Sequence, residues 1–262
     1  MPELPDVEGF KRYFARHAKG RRVREVVVPT PAIVRNSSPQ GLGAAITGRR
    51  FEAPIRHGKW MLAPAEGPAL AVHFGMTGFL VWSRDDTDRH RHDRAILVFD
   101  EGELRYRNMR MLGGLWLVRR GEDLTAAAGE LGPDAAAIDG DSFDELLKSC
   151  RGGLKALLMN QRQIAGIGNE LADEVLWRAR IHPARPCGSL DARERGRLYR
   201  ELGNVISVST RHGRIPTERR WLKSRRRDRE PVCPRCGRSL ERGRIAGRTT
   251  FWCPGCQPRA GS

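Results

Sequence analysis

Four cysteines near the C-terminal end stand in two C-x-x-C pairs, Cys233-Pro234-Arg235-Cys236 and Cys253-Pro254-Gly255-Cys256, with sixteen residues between them. Each pair offers two thiolates from one tight turn. Together they make a tetrahedral set for a single structural Zn2+. Gly237 and Gly255 suit such turns. Two disulfides or a redox pair would use the same spacing, and a reducing compartment favours the metal. Cys150 and Cys187 stand alone and read as core or surface thiols.

A second chemistry lies at the other end. Pro2 follows Met1. A small second residue permits removal of the initiator methionine, which frees a secondary amine. An α-amino group titrates near 8, so a useful fraction is unprotonated at neutral pH. Such an amine attacks a sugar aldehyde carbon to give an iminium ion, with Glu3 adjacent to move protons. Met-Pro-Glu is also a common start, and alone it carries no function. The third constellation is Ile164-Ala165-Gly166-Ile167-Gly168-Asn169 before a helical stretch. Glycines at a helix start allow close backbone approach, and free N–H groups there favour a phosphate. An ordinary inter-helix turn would use the same glycines.

The surrounding elements must position these groups. Val7, Phe10, Phe14 and Ala18 predict a helix over Pro5–Lys19, ended by Gly20. Short β-like runs follow at Val23–Val28, Phe51–Ala63, Leu70–Trp82, Arg94–Phe99, Glu103–Arg107 and Gly114–Val118, with a turn at Asp100-Glu101-Gly102. Strands at this spacing predict a sandwich or barrel. Ser83–Asp93 reads as an exposed loop. After about residue 120 the pattern turns helical. Ser142-Phe143-Asp144-Glu145 reads as a capping box opening a helix toward Cys150. Leu154–Gln161 continues helical, Glu170–Arg180 resumes with Asn169 as N-cap, and Leu198, Leu202, Val205 and Ile206 mark a further helix stopped near Gly213. Ser239–Trp252 fits a two-stranded hairpin with Arg242-Gly243 near its tip. The fold class is α+β in three parts: an N-terminal β-sandwich with a flanking helix over 1–120, a helical domain over 121–216, and a basic linker with a zinc hairpin over 217–262.

The composition names the partner class. The 262 residues hold 47 Lys+Arg against 31 Asp+Glu, a formal net charge of +16. From Arg211 to Ser262 there are 15 Lys/Arg and 4 Asp/Glu, a net +11. The densest run, Arg219-Arg220-Trp221-Leu222-Lys223-Ser224-Arg225-Arg226-Arg227, reads as a solvated loop, and its interleaved Trp221 points to a nucleic-acid contact. Hydrophobic residues at 39% and charged residues at 30% exclude wholesale disorder. No apolar run approaches the roughly 20 residues of a membrane helix. The start carries no signal-peptide pattern. The expectation is a cytoplasmic, nucleoid-associated protein.

With these pieces assembled, the sequence resembles the bacterial formamidopyrimidine-DNA glycosylase / endonuclease VIII (Fpg/Nei) family. Met1-Pro2-Glu3-Leu4-Pro5-Asp6-Val7-Glu8, Arg56-His57-Gly58-Lys59-Trp60-Met61-Leu62 and His73-Phe74-Gly75-Met76-Thr77-Gly78 are similar to the Fpg branch. Ala165-Gly166-Ile167-Gly168-Asn169-Glu170 is similar to the family's helix–two-turn–helix signature, and Arg248-Thr249-Thr250-Phe251-Trp252-Cys253-Pro254-Gly255-Cys256-Gln257 to its zinc hairpin. The likeness is collinear over essentially the whole chain.

The resemblance implies a bifunctional DNA glycosylase and abasic-site lyase of base-excision repair, a monomer acting on damaged duplex DNA. Pro2 would attack C1′ and form a Schiff base, Glu3 would assist ring opening and proton transfer, and Lys59, on a β-hairpin, would position phosphate and sugar. Asn169 and Arg248 would hold phosphates around a kinked site. Met76, Arg110 and Leu112 would fill the gap left by the everted nucleotide. Two departures stand out. The usual Asp-Pro-Arg-Arg-Phe-Gly appears as Asn108-Met109-Arg110-Met111-Leu112-Gly113, so an aliphatic group stands where an aromatic is usual. The loop that closes over 8-oxoguanine is absent or rebuilt as Ile215–Glu230. Two other readings are a non-catalytic module for damaged or bent DNA on the same scaffold, and a zinc-ribbon factor associated with transcription or RNA. The latter leaves the N-terminal motifs unexplained.

Overall fold

The computed structural model describes residues 2–226 and 228–259. Arg227 of the basic run and Met1, whose removal exposes Pro2, lie outside the described residues. The chain divides into two compact units. The first holds Pro2 and Asp6–Glu130, and the second holds Glu3–Pro5 and the chain from Leu131 onward.

The first unit begins with α1 (Leu4–Ala18), whose apolar face at Val7, Phe14 and Ala18 is buried as its spacing requires. Strand β1 (Glu25–Val27) follows, then α2 (Pro39–Ile46). Sequence reasoning missed α2 because Gly41 and Gly43 are poor helix formers. It is held instead by Pro39 at its start and by Ser38, whose hydroxyl accepts from the Gly41 N–H. The expected strand Phe51–Ala63 is two strands, β2 (Ile55–His57) and β3 (Trp60–Pro64), turning at Gly58-Lys59. Likewise Leu70–Trp82 splits into β4 (Ala69–His73) and β5 (Phe79–Ser83), which join different sheets. The break comes at Gly75, whose φ of 62° lies in the left-handed region, and at the turn closed by the Gly78 N–H on Phe74 O. Strands β6 (Asp93–Phe99), β7 (Gly102–Arg107) and β8 (Gly114–Val118) complete two antiparallel four-stranded sheets, ordered β1-β6-β7-β5 and β2-β3-β4-β8. Met61, Ala63, Leu70 and Val72 of one sheet share a core with Ala95, Leu97, Leu104 and Tyr106 of the other. This is the expected sandwich. The short helix α3 (Thr125–Ala128) closes the unit.

In the second unit, α4 (Gly140–Ser149) opens three residues earlier than its motif implied. Asp139 is the N-cap, accepting from the Ser142 N–H, so Ser142 is the third helical residue and no cap. Then come α5 (Leu154–Met159), α6 (Asn169–Arg178) and α7 (Ala192–His212). Helix α7 carries a true capping box at Asp191 and Glu194 and ends on Gly213 at φ 64°. The basic stretch contains α8 (Leu222–Arg225), and the zinc hairpin is β9 (Glu241–Ile245) and β10 (Arg248–Trp252). Its tip is Ala246-Gly247, both at positive φ, while Arg242-Gly243 lies within β9. A two-residue turn matching strand twist needs two such residues, and the Arg248↔Ile245 pairing fixes them. Trp221 corrects another expectation. It is 2% exposed and belongs to the unit's core, with the Arg178 guanidinium 4.3 Å from its ring centre. It therefore presents no face to a nucleic acid.

The hairpin is bolted to the helices by buried charge. Lys155 of α5 and Asp173 of α6 are 0% and 1% exposed at their side chains. The Lys155 ammonium donates to Asp173 Oδ1 at 2.5 Å and to Thr250 Oγ1 of β10 at 2.6 Å. Arg226 pairs with the same carboxylate, which also accepts from the Phe251 N–H. Removing one member leaves the others buried and uncompensated. Asp173→Ala is therefore expected to destabilise the second unit by about 3–5 kcal/mol in chemical denaturation. A loss under about 1 kcal/mol would mean that the network does not hold the hairpin.

Candidate functional site

The helix start read as a phosphate cradle is filled from within the chain. The carboxylate of Glu3, 2% exposed, accepts from three backbone N–H groups. Gly168 and Leu171 donate to Oε2 at 2.9 and 3.0 Å, and Glu170 donates to Oε1 at 2.8 Å. These are orphan donors at the α6 N-terminus, where the helix dipole complements an anion. The N-cap is Gly168, and Asn169 is the first helical residue, contrary to the sequence expectation. The glycines serve the N-terminal segment rather than DNA. A Cβ on Gly168 would lie 2.3 Å from Glu3 Cδ, and one on Gly166 would lie 2.6 Å from Leu4 Cδ1. Gln161 stitches the turn, accepting from the Gly166 N–H and donating to Met159 O and Ile167 O.

Asn169 faces the zinc hairpin. Its Nδ2 donates to Thr249 O at 2.9 Å, next to exposed Arg248, while its Oδ1 is buried without a partner. The structure thus brings Glu3, Asn169 and Arg248 onto the α6 start and the adjoining strand. The four cysteine sulfurs lie within 4.8 Å of one another, with Cys236–Cys253 at 3.5 Å and Cys233–Cys256 at 3.9 Å. A tetrahedron with bonds of about 2.3 Å has edges of about 3.8 Å, so these thiols fit one Zn2+. A disulfide would require about 2.05 Å. Cys150 is half-buried and Cys187 buried, and neither belongs to this cluster.

The first unit holds the other candidates. Pro2 is half-buried. Lys59 sits half-buried in the β2–β3 turn. That turn is pinned by Arg56, which donates to Glu8 Oε2 of α1 at 3.1 Å and to Gly58 O at 3.2 Å. Met76 and Leu112 are 39% and 55% exposed, and Arg110 is exposed too. They stand on two turns in backbone contact. A Cβ on Gly75 would meet the Gly113 nitrogen at 2.4 Å, and one on Gly113 would meet His73 O at 2.0 Å. Asn108, fully buried, ties the two turns together. Its Oδ1 accepts from the Met111 N–H and the Thr77 hydroxyl, and its Nδ2 donates to Tyr106 Oη. Thr77 Oγ1 in turn accepts from the Arg110 N–H. Sequence reasoning gave no role to Asn108, to Met109, which is 57% exposed beside Arg110, or to His73. The polar-apolar alternation around 108–112 was the available signal.

His73 ends β4, and its Nδ1 accepts from the Gly75 N–H at 3.3 Å. Burial first, and the Lys59 ammonium second, push its pKa from 6.5 to about 4.

A two-sheet unit followed by a helix–two-turn–helix unit with a four-thiolate hairpin defines the class: zinc-finger DNA glycosylases. The formamidopyrimidine-DNA glycosylase N-terminal domain matches residues 1–115, the formamidopyrimidine-DNA glycosylase H2TH domain residues 131–220, and the zinc finger found in FPG and IleRS residues 231–259. Formamidopyrimidine-DNA glycosylases of Nocardioides sp. and Chloroflexus aurantiacus are 36% and 34% identical, each over 98% of this chain and over 95% and 98% of their own. A solved complex of Lactococcus lactis Fpg with DNA containing an abasic site is 26% identical, with a TM-score of 0.88 over 98% of this chain and all of that one. The chain belongs to the formamidopyrimidine-DNA glycosylase family. Membership makes it a DNA glycosylase with abasic-site lyase activity, acting in base-excision repair. Among the described residues, no helix is long and apolar enough to cross a membrane.

Two measurements check this geometry. Gly168→Ala is expected to displace the Glu3 carboxylate and lower single-turnover base release about a hundredfold. An unchanged rate would detach that carboxylate from the chemistry. His73 has a folded pKa below its unfolded value, so the unfolded state takes up its proton first as pH falls from 6.5 toward 4. Stability is then full above about pH 7 and declines by up to about 3 kcal/mol across that window. His73→Asn, which keeps an acceptor for Gly75, should flatten the decline in urea melts at pH 7.5 and 4.5. Parallel losses in both proteins would refute the assignment.

Proposed function

We propose that this chain excises damaged bases from duplex DNA as a monomer through a Schiff base on Pro2. The observation that carries the reading is the Glu3 carboxylate, covalently next to Pro2 and held by three amide donors in a buried turn. The Pro2 nitrogen bonds to C1′ as the glycosidic bond breaks, and the base leaves with a proton. Loss of the amine proton and ring opening give an iminium ion, with Glu3 moving the protons. Loss of a C2′ proton then breaks the C3′–O bond, and a second elimination breaks C5′–O.

The other residues grip and open the duplex. Lys59 positions phosphate and sugar. Asn169, through the second N–H of its amide, and Arg248 hold phosphates of the kinked strand. Met76, Arg110 and Leu112 enter the gap, Leu112 as an apolar wedge without a stacking face. The division of labour follows residues 1–120 for sugar chemistry and the wedge, 121–216 for the carboxylate and phosphate turn, and 217–262 for the zinc hairpin. Relatives support the substrate class. Lactococcus lactis Fpg has been solved with DNA carrying a benzylated formamidopyrimidine, an abasic site and an oxidised pyrimidine.

The test is borohydride trapping on duplexes bearing formamidopyrimidine, oxidised pyrimidine or an abasic site, using zinc-loaded protein whose intact mass shows that Met1 is gone. Wild type should give a covalent adduct and Pro2→Gly should give almost none. Tight, salt-sensitive binding of damaged duplex without any adduct would overturn the enzymatic reading in favour of a binding module.

A further inference from the structure

Helix α6 starts at the Glu3 turn and ends at the metal. At its far end Trp177, 4% exposed, packs with Leu222, Cys233, Leu240 and Cys253. A tryptophan indole is a donor only, and a buried one needs an acceptor. Here the acceptor is sulfur: Nε1–H donates to Cys233 Sγ at 3.3 Å. Arg235, inside the first C-x-x-C turn, lies with its guanidinium 4.5 Å from the centre of a Trp177 ring and donates to Trp177 O at 3.2 Å. The ring is therefore fixed by its face, its edge and its backbone, all toward one metal-binding turn. Cys233 Sγ also accepts from the Arg235 N–H at 3.4 Å.

We propose that Trp177 is a positioning residue of the zinc centre: its indole N–H draws charge from the Cys233 thiolate and thereby sets that sulfur's bonding and reactivity. Zn2+ with four thiolates carries a net charge of −2, concentrated on sulfur. A hydrogen bond to one sulfur lowers its donor strength and its attack on electrophiles, the role that outer-shell donors play at metal sites. Cys233 is thus less reactive than it would be without the indole. The same contact holds the hairpin in register with α6, in which the nine residues from Asn169 to Trp177 span about 12 Å. The inference rests on zinc occupancy and not on Pro2 chemistry.

The test uses Trp177→Phe in the full-length metal-loaded protein, which keeps an aromatic face for Arg235 and removes the N–H. With Co2+ in place of zinc, the thiolate-to-metal charge-transfer band should move to longer wavelength, because an unbonded thiolate gives up an electron more readily. Zinc release to a chromogenic chelator, and alkylation of Cys233 by N-ethylmaleimide mapped by mass spectrometry, should each quicken several-fold. Looser packing alone would speed release without moving the band. A band at the wild-type position therefore overturns the proposal. If the variant does not load metal, wild-type protein carrying 113Cd decides. A scalar coupling between cadmium and the Trp177 indole proton supports the hydrogen bond, and its absence refutes it.

Discussion

Three amide hydrogens at the start of α6 hold one carboxylate, and the second unit is organised around that contact. Glu3 lies 165 residues from Gly168 in sequence, yet it completes the helix end that no local residue caps. The glycines follow from it, since a side chain on Gly168 or Gly166 would occupy the space of Glu3 or Leu4. Three amides of the turn are thus taken by Glu3, and the Asn169 side chain reaches the hairpin at Thr249. From there α6 continues through Asp173, which gathers Lys155 and Arg226, to Trp177 at the zinc turn. One short helix therefore sets the register of the Glu3 carboxylate, the Asn169 amide and the four-cysteine turn.

The first unit solves a different problem, presenting apolar and cationic side chains to solvent without letting their turns move. Two glycines touch backbone to backbone, and one buried amide, Asn108, satisfies groups from both turns. Arg35 adds a third tie by donating to Gly113 O, and it also reaches the carbonyl of Met111, which is itself held at φ 52°. Met76 and Leu112 stay exposed on these braced turns. The bracing also gives the 108–112 stretch a defined turn. Asn supplies both acceptor and donor where a carboxylate supplies only acceptors.

The charge is distributed differently from its count. Much of the +11 in the last part of the chain is already engaged. Lys223 pairs with Glu170, Arg220 with Glu218, Arg225 with Asp228, and Arg226 with buried Asp173. Arg235 lies on Trp177. The basic segment after α7 is packed down by Ile215, Trp221 and Leu222, and the Leu222 N–H donates to Glu174. Basic character there serves the fold as much as it serves a polyanion, while Arg242, Arg244 and Arg248 of the hairpin remain exposed.

What the sequence by itself determined is what is local. The spacing of Cys233, Cys236, Cys253 and Cys256 defines a metal turn because both ligands of each pair come from one loop. The apolar period of 7–18 defines α1, and collinear motifs define the family. Helix caps and turn tips were displaced by a few residues, since Asp139 and Ala246-Gly247 compete with equally plausible neighbours. Only the tertiary structure decided which partner each polar group meets. The carboxylate of Glu3 took the amides that sequence reasoning reserved for phosphate. Trp221 went into a core, and Trp177, read only as part of a helix, became the donor to a zinc thiolate. The physical reason is that a hydrogen-bond donor records its own needs in its residue type. The acceptor that satisfies it is chosen by packing between segments far apart in the chain.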